Sequence, residues 1–352
     1  MPTSDIQSAQ LTGCGAVAEL ERKLREYYGM KHALCVSNAT TGLLAVGLAL
    51  GLRDAEFLTT PYTYGASLAG WLLFGNRPAF ADIEPDTLGL APESLAAQIS
   101  PRTRALLAVD IFGVPSDTVG LRRIADEHGL WYIADAAQSF GARREDKPAS
   151  ASADALVVSF TARKSLDAGE GGAVITNHSD LYEKLVWWTQ HPYRQHRDLG
   201  LRVENEFGLN GRIHPCAAIK ANAQFSDCLE KVAERRRQGF EILDDLNHSG
   251  LTEPLHFRKR AIEPAFFRLT AAWTGTPKSG ALRTRLRQLG FEAEFAPSPA
   301  RLIYRQGAFL AQYEGLLQSV PRCPVAERQA KRRFAVSFGS EGRLQFERGG
   351  SR

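Results

Sequence analysis

Ser159-Phe160-Thr161-Ala162-Arg163-Lys164-Ser165-Leu166-Asp167-Ala168-Gly169-Glu170-Gly171-Gly172 joins two apolar runs, ALVVSF at 155–160 and GAVIT at 172–176. Both runs are short and rich in branched residues, as buried strands are. A lysine held there, beside a glycine cluster, lies among closely packed backbone. Lost solvation lowers the pKa of such an amine and makes it a nucleophile able to form a Schiff base. Lysine is scarce in this chain, 10 against 33 arginines. Taken alone, Lys164 reads as an exposed loop lysine.

Outward from this stretch, strands alternate with helices. Residues 16–28 (AVAELERKLREYY) have the spacing of an amphipathic helix. Strands are predicted over 32–37, 56–60, 78–83, 104–112 and 131–135, and helices over 40–52, 64–74 and 117–128. This alternation predicts an α/β protein with a mostly parallel sheet covered on both faces. After residue 178 the pattern becomes helical over 179–190 and 214–248, around a loop-like stretch at 191–212 rich in Arg, His, Tyr and Asn. A smaller α+β unit is predicted beyond, with strands at 267–273 and 291–295, a helix at 279–289 and a loose tail from 334 to 352. The domain boundary is set near residue 240, giving a large domain over 1–240 and a small one over 241–352.

Composition narrows the class of protein. The chain has 352 residues, 44% hydrophobic and 23% charged, which is the make-up of a soluble globular protein rather than a disordered one. The longest apolar run, residues 43–52, is about half the length needed to span a bilayer. The first residues, MPTSDIQSAQ, lack the pattern of a secretory signal. Five scattered cysteines form no C-x-x-C pair and no zinc spacing, so buried free thiols and a cytoplasmic location are expected. The net charge of +4 hides an asymmetry: residues 251–352 carry 18 Lys and Arg against 8 Asp and Glu, whereas residues 1–250 carry 25 against 31. A basic segment of this kind suits an anionic ligand or a solvated arginine face. It has no helix-turn-helix or zinc pattern that would mark a nucleic-acid binder.

In open α/β sheets, ligands sit at the carboxyl ends of the strands. Three more polar segments fall there. Ser37-Asn38-Ala39-Thr40-Thr41-Gly42 opens a helix after the first strand, an outline for a phosphate site or a plain helix cap. Asp135, in Ala134-Asp135-Ala136-Ala137-Gln138, ends an apolar strand among small neighbours, as a buried carboxylate or a cap. Asn210, in Gly208-Leu209-Asn210-Gly211-Arg212, precedes a helix as a turn residue would.

The four segments, in this order, resemble the DegT/StrS-type aminotransferases, pyridoxal-phosphate (PLP) enzymes of fold type I. The resemblance runs from about residue 20 to 240. It rests on Ser-Phe-x-x-x-Lys followed by Gly-Glu-Gly-Gly, and on Asp-Ala-Ala-Gln, whose Asp135 precedes Lys164 by 29 residues. It implies a seven-stranded-type mixed sheet in a PLP-binding large domain with a small C-terminal α+β domain. It implies that Lys164 carries the cofactor as a Schiff base and that Asp135 partners the pyridine nitrogen. Gln138 would bond the ring hydroxyl and Tyr64 would stack on the ring. Ala39, Thr40 and Ser159 would hold the phosphate, and Asn210 would reach it from the partner subunit of a homodimer with shared sites. The implied reaction moves an amino group from a donor amino acid, glutamate or glutamine, to a keto sugar or related carbonyl compound of antibiotic, secondary-metabolite or cell-surface biosynthesis. Pyridoxamine phosphate is the carrier between the two halves, and no metal, membrane or nucleic acid takes part.

Beyond residue 240 the chain departs from that pattern. No histidine follows His256, Gly211 stands where an aromatic is common, and no closing helix is evident after Val336, so the small domain reads as shortened. Residues 187–198 (WWTQHPYRQHRD) suit a different pocket wall, dimer contacts or an exposed basic loop. Two alternatives stand beside the aminotransferase: a PLP enzyme of the same fold with another reaction (lyase, dehydratase or oxidative), and a non-catalytic regulatory member.

Overall fold

The computed structural model describes residues 11–201, 204–274, 280–295 and 301–338. Its centre is a seven-stranded sheet in the order β1-β9-β8-β5-β4-β2-β3. The strands are β1 (His32–Val36), β2 (Glu56–Thr59), β3 (Arg77–Phe80), β4 (Thr103–Val109), β5 (Trp131–Asp135), β8 (Ala155–Ser159) and β9 (Gly172–Thr176). From β3 across to β8 every pairing is parallel, while β9 pairs antiparallel with both β8 and β1. Two short strands, β6 (Arg143–Arg144) and β7 (Lys147–Pro148), form a hairpin outside this sheet, extended by β10 (Ile262–Glu263). This is a mostly parallel α/β sheet covered by helices, as the alternation of strands and helices predicts.

Side-chain alternation along the strands splits the core into two layers. Ala33, Leu106, Tyr132, Leu156, Val158 and Ile175 pack under α1 (Ala16–Tyr28), α4 (Thr118–His128) and the first half of α7 (Pro215–His248). Leu34, Phe57, Leu107, Ile133, Val157 and Val174 pack under α2 (Ala39–Ala49), α3 (Gly65–Leu72) and α5 (Ser179–Thr189). Both faces are covered, which explains why these strands read as continuous apolar runs. Trp71 anchors α3 to α2: it is fully buried, and its Nε1–H donates to the Leu43 carbonyl at 2.7 Å.

A third cluster lies around a smaller sheet of order β11-β13-β12, made of β11 (Arg268–Ala272), β12 (Glu294–Phe295) and β13 (Arg333–Ser337). Leu269, Phe334 and Val336 pack there with Leu282 and Leu286 of α8 (Gly280–Gln288) and with Ile242, Leu243 and Leu246 from the last turns of α7. The single 34-residue helix α7 thus contributes to two cores, and residue 240 lies inside it. Phe309 of α9 (Gly307–Tyr313) and Ala326 of α10 (Pro324–Ala330) return to pack on the central-sheet layer of α2 and α3.

The structure corrects three expectations. Residues 191–212 are not all loop: α6 (Pro192–Leu199) forms there, with Pro at its first position and Gly200 at φ +62° closing it. Residues 334–337 are not loose, because they lie in β13, the middle strand of the small sheet; residues 339–352 lie outside the described part. The cysteines are not uniformly buried: Cys35, Cys228 and Cys323 are, whereas Cys14 is partly accessible and Cys216 exposed.

Candidate active site

The carboxyl ends of β1, β4, β5 and β8 open on one cavity of about 400 Å³. At its first corner the chain leaves β1 and enters α2. Asn38 caps that helix, its Oδ1 accepting the Thr41 N–H at 2.8 Å. Ala39 and Thr40 occupy the first two helical positions and line the cavity. Backbone N–H groups at such positions have no partner within their helix and carry the positive end of its dipole, so they attract an anion. Gly172 makes this corner possible. A Cβ there would meet the Ala39 nitrogen at 2.7 Å and the Val158 oxygen at 2.8 Å.

At the second corner Asp135 ends β5, only 7% exposed. Its Oδ1 accepts the Ala137 N–H at 3.0 Å and its Oδ2 accepts the Ser67 hydroxyl at 2.6 Å. Thr63 in turn donates to Ser67 at 2.7 Å. The carboxylate is therefore aimed and satisfied before any ligand arrives. Gln138, one turn on, has its Oε1 engaged by the Phe112 N–H at 2.7 Å, which leaves its amide nitrogen to donate into the cavity.

Lys164 enters from the loop between β8 and β9. Its Nζ lies 4.5 Å from the centroid of the Phe267 ring. Burial lowers its pKa below the usual 10.5, and the charge of Asp135 opposes that shift. An amine poised in this way has a larger neutral, nucleophilic fraction at moderate pH. Ser159 stands at the end of β8, its hydroxyl 3.0 Å from that of Thr161. Tyr64 precedes α3 and lines the cavity, the residue being 64% exposed.

Seven of the eight residues singled out from the sequence line this cavity: Ala39, Thr40, Tyr64, Asp135, Gln138, Ser159 and Lys164. Asn210 does not. It is exposed, in the left-handed region at φ +50°, in a segment tied to the end of β1 by the Ser37 N–H to Gly211 carbonyl bond of 2.7 Å. Ser67, Thr161, Phe267 and Arg268 also line the cavity and escaped sequence reasoning. Ser67 lies three residues after Tyr64, on the first turn of the same helix, which is the one signal available for it. Arg268 opens β11 of the small sheet and Phe267 directly precedes it, and no local pattern points to them.

A planar pyridine aldehyde bearing a phosphate fits the donor set: a cradle of N–H groups closed by a glycine, a buried carboxylate fixed by two donors, an amine of lowered pKa and an open-sided aromatic. The sequence profile of the DegT/DnrJ/EryC1/StrS aminotransferase family matches residues 3–341. The UDP-2-acetamido-2-deoxy-3-oxo-D-glucuronate aminotransferase of Pseudomonas aeruginosa is 32% identical over 240 residues, 68% of this chain and 66% of that protein. The dTDP-4-amino-4,6-dideoxy-D-glucose transaminase of Shigella dysenteriae is 36% identical over 208 residues, 59% of this chain and 55% of that protein. The chain thus spans a little over half to about two thirds of these curated relatives. An aminotransferase from Psychrobacter cryohalolentis superposes with a TM-score of 0.83 at 24% identity, over 94% of this chain and 88% of that one. NtdA of Bacillus subtilis, solved with the bound cofactor PMP, superposes with a TM-score of 0.80 at 21% identity, over 97% and 77%. With a profile match over nearly its whole length, the chain belongs to the DegT/DnrJ/EryC1/StrS aminotransferase family.

Proposed function

We propose that the chain is a PLP-dependent aminotransferase that takes an amino group from glutamate or glutamine and delivers it to a keto sugar carried on a nucleotide. One observation carries this reading: the Lys164 amine, its pKa lowered by burial, opens on the same cavity as the buried, pre-aimed Asp135. The nucleotide-sugar names of the relatives support the acceptor class.

When bound, the cofactor supplies an electron-withdrawing ring that stabilises negative charge at the donor α-carbon. Asp135 would hold the proton on the ring nitrogen, and Gln138 would donate to the ring hydroxyl. Ala39, Thr40 and Ser159 would hold the phosphate, and Tyr64 would cover the open face of the ring. Lys164 Nζ would anchor the cofactor and, once displaced by the amine of the donor, would as a free amine take the proton from the donor α-carbon and return it at the cofactor carbon, as a general base and then a general acid. The exposed position of Asn210 favours a homodimer in which it serves the neighbouring site. A cytoplasmic place in cell-surface or antibiotic sugar biosynthesis is consistent with this chemistry.

The test is a cofactor spectrum with a panel of amino donors. Wild-type protein is expected to bind PLP with visible absorbance that glutamate bleaches, releasing the corresponding keto acid. Lys164→Ala is expected to lose that absorbance and to slow amino transfer on the order of 10²–10⁴-fold. Unchanged absorbance and rate in the variant would overturn the proposal, and product formation without keto-acid release would point to another reaction on the same fold.

A further inference from the structure

Lys164 sits on a loop with an unusual backbone path. Arg163, immediately before it, holds φ at +74°, and Gly169 holds φ at +87°. Left-handed backbone is costly for a side chain such as that of Arg163, and it persists only where the surroundings impose it. The neck of the loop is closed by the Ala162 N–H to Gly169 carbonyl bond of 3.0 Å and the Ala168 N–H to Phe160 carbonyl bond of 2.8 Å. Inside it lies Asp167. One carboxylate oxygen, Oδ2, accepts the Arg163 N–H at 2.9 Å, and the other, Oδ1, accepts the Gly169 N–H at 2.8 Å. Both left-handed positions are therefore gripped by a single side chain. The grip is itself held from α7. Lys220 Nζ lies 3.1 Å from Oδ1, and Gln224, one helical turn on, donates to the Asp167 carbonyl at 3.0 Å.

We propose that Asp167 is a positioning residue for Lys164: its two carboxylate oxygens clamp both ends of the lysine loop, and α7 holds the clamp through Lys220 and Gln224. The inference rests on the reading of Lys164 as the cofactor anchor. Asp167 acts through the loop and not through its charge. The influences on the Lys164 amine are burial and the charge of Asp135, and the ionisable groups that share the cavity with it are Asp135, Tyr64 and Arg268. Partial burial works to raise the Asp167 pKa, but the Arg163 N–H, the paired Lys220 and the Gly169 N–H together hold it below its usual value. The clamp therefore stays ionised at neutral pH.

The sign of one measurement separates positioning from electrostatics. Removing a negative charge lowers the pKa of a nearby amine. Releasing the loop lets water reach the amine and raises it. The Lys164 pKa is read by competitive acetylation of the cofactor-free chain followed by mass spectrometry, across a pH series. Covalent capture of added PLP at pH 7 is followed in parallel. Asp167→Asn and Asp167→Ala are expected to raise the Lys164 pKa and to slow capture, about tenfold for each pKa unit gained. Lys220→Met is expected to shift both the same way by less, and it decides the matter if the Asp167 variants do not fold. Folded variants with a lower Tm but an unchanged Lys164 titration and capture rate would make Asp167 a merely structural residue and overturn the proposal. A fall in the Lys164 pKa would overturn it as well. If wild-type protein captures no PLP, the aminotransferase reading fails, while the acetylation profile still tests the clamp.

Discussion

Lys164 shows how a reactive side chain costs stability. Burial lowers its pKa from 10.5, so in the cofactor-free chain the folded state binds its proton less tightly than the unfolded state does. Below the folded pKa that penalty is present in full. It is relieved as pH rises from the folded pKa towards 10.5. Lys164→Met is therefore expected to stabilise the cofactor-free protein at neutral pH, with the advantage shrinking towards pH 10. Urea denaturation at several pH values measures it. Ser67→Ala is expected to do the opposite. It leaves buried Asp135 without its 2.6 Å hydroxyl donor, at a cost of about 1.5–3 kcal/mol for a bond to a charged group, together with weaker cofactor retention. At this scale the sequence was legible where a residue type is scarce or ends an apolar run, as Lys164 and Asp135 do. Ser67 was not legible, because only the packing of α3 across the sheet brings it to a carboxylate 68 residues away.

Elements differ in how much of themselves they write into the chain. The central strands are buried on both faces, so their apolar runs are unmistakable. The helix α6 is written in charged residues and hides its reason for folding. Arg194 is 1% exposed, gripping Glu21 of α1 at 2.8 Å and Asp198 at 3.0 Å, and these carboxylates push its pKa up despite burial. A basic stretch that reads as an exposed loop or a pocket wall thus includes a buried tie between two helices. Arg194→Met is expected to strand Glu21 and to cost about 3–5 kcal/mol, read from the denaturation midpoint. Where β9 meets α2, Gly172→Ala is expected to cost about 1–3 kcal/mol and to weaken cofactor binding at the same time. The added methyl would meet backbone at the start of α2 on one side and backbone of β8 on the other.

For the whole molecule, the basic excess beyond residue 250 takes on a structural meaning. Arg305 pairs with Glu327 and Arg332 with Glu253 inside that segment, while Arg260 pairs with Glu84 and Arg285 with Asp245 outside it, so part of the excess is met by carboxylates of the first 250 residues. The arginines of α8 do not line the cavity: Arg285 faces α7, and Arg283 lies 4.0 Å above the Phe295 ring. Arg268 is the basic residue of the small sheet that does reach the cavity wall. Such long-range returns leave no local mark, which is why the small unit was legible only as a sketch. Shared sites can be tested by mixing a Lys164→Ala chain with an Asn210→Ala chain. Activity above the sum of the separate proteins is expected, because one site of the mixed dimer carries neither defect; strictly additive loss would count against Asn210 as a partner-subunit ligand.

The order of the sheet also bears on how the protein emerges from the ribosome. The strand β1 is synthesised first, yet its hydrogen-bonding neighbour in the sheet, β9, follows more than a hundred residues later. Until β9 has left the exit tunnel, β1 packs against α1 and α2 but has no strand to pair with. The parallel block β2 to β5 is free to assemble meanwhile, since its strands lie next to one another and are made in succession. The anion cradle and the lysine loop flank the same late strand, so they come together in one event. A nascent chain stalled before residue 176 would therefore lack the antiparallel pair of β9 with β1 and the close approach of Gly172 to Ala39. Synthesis of the second half of the polypeptide and completion of the site are in this way put in a fixed order by connectivity alone.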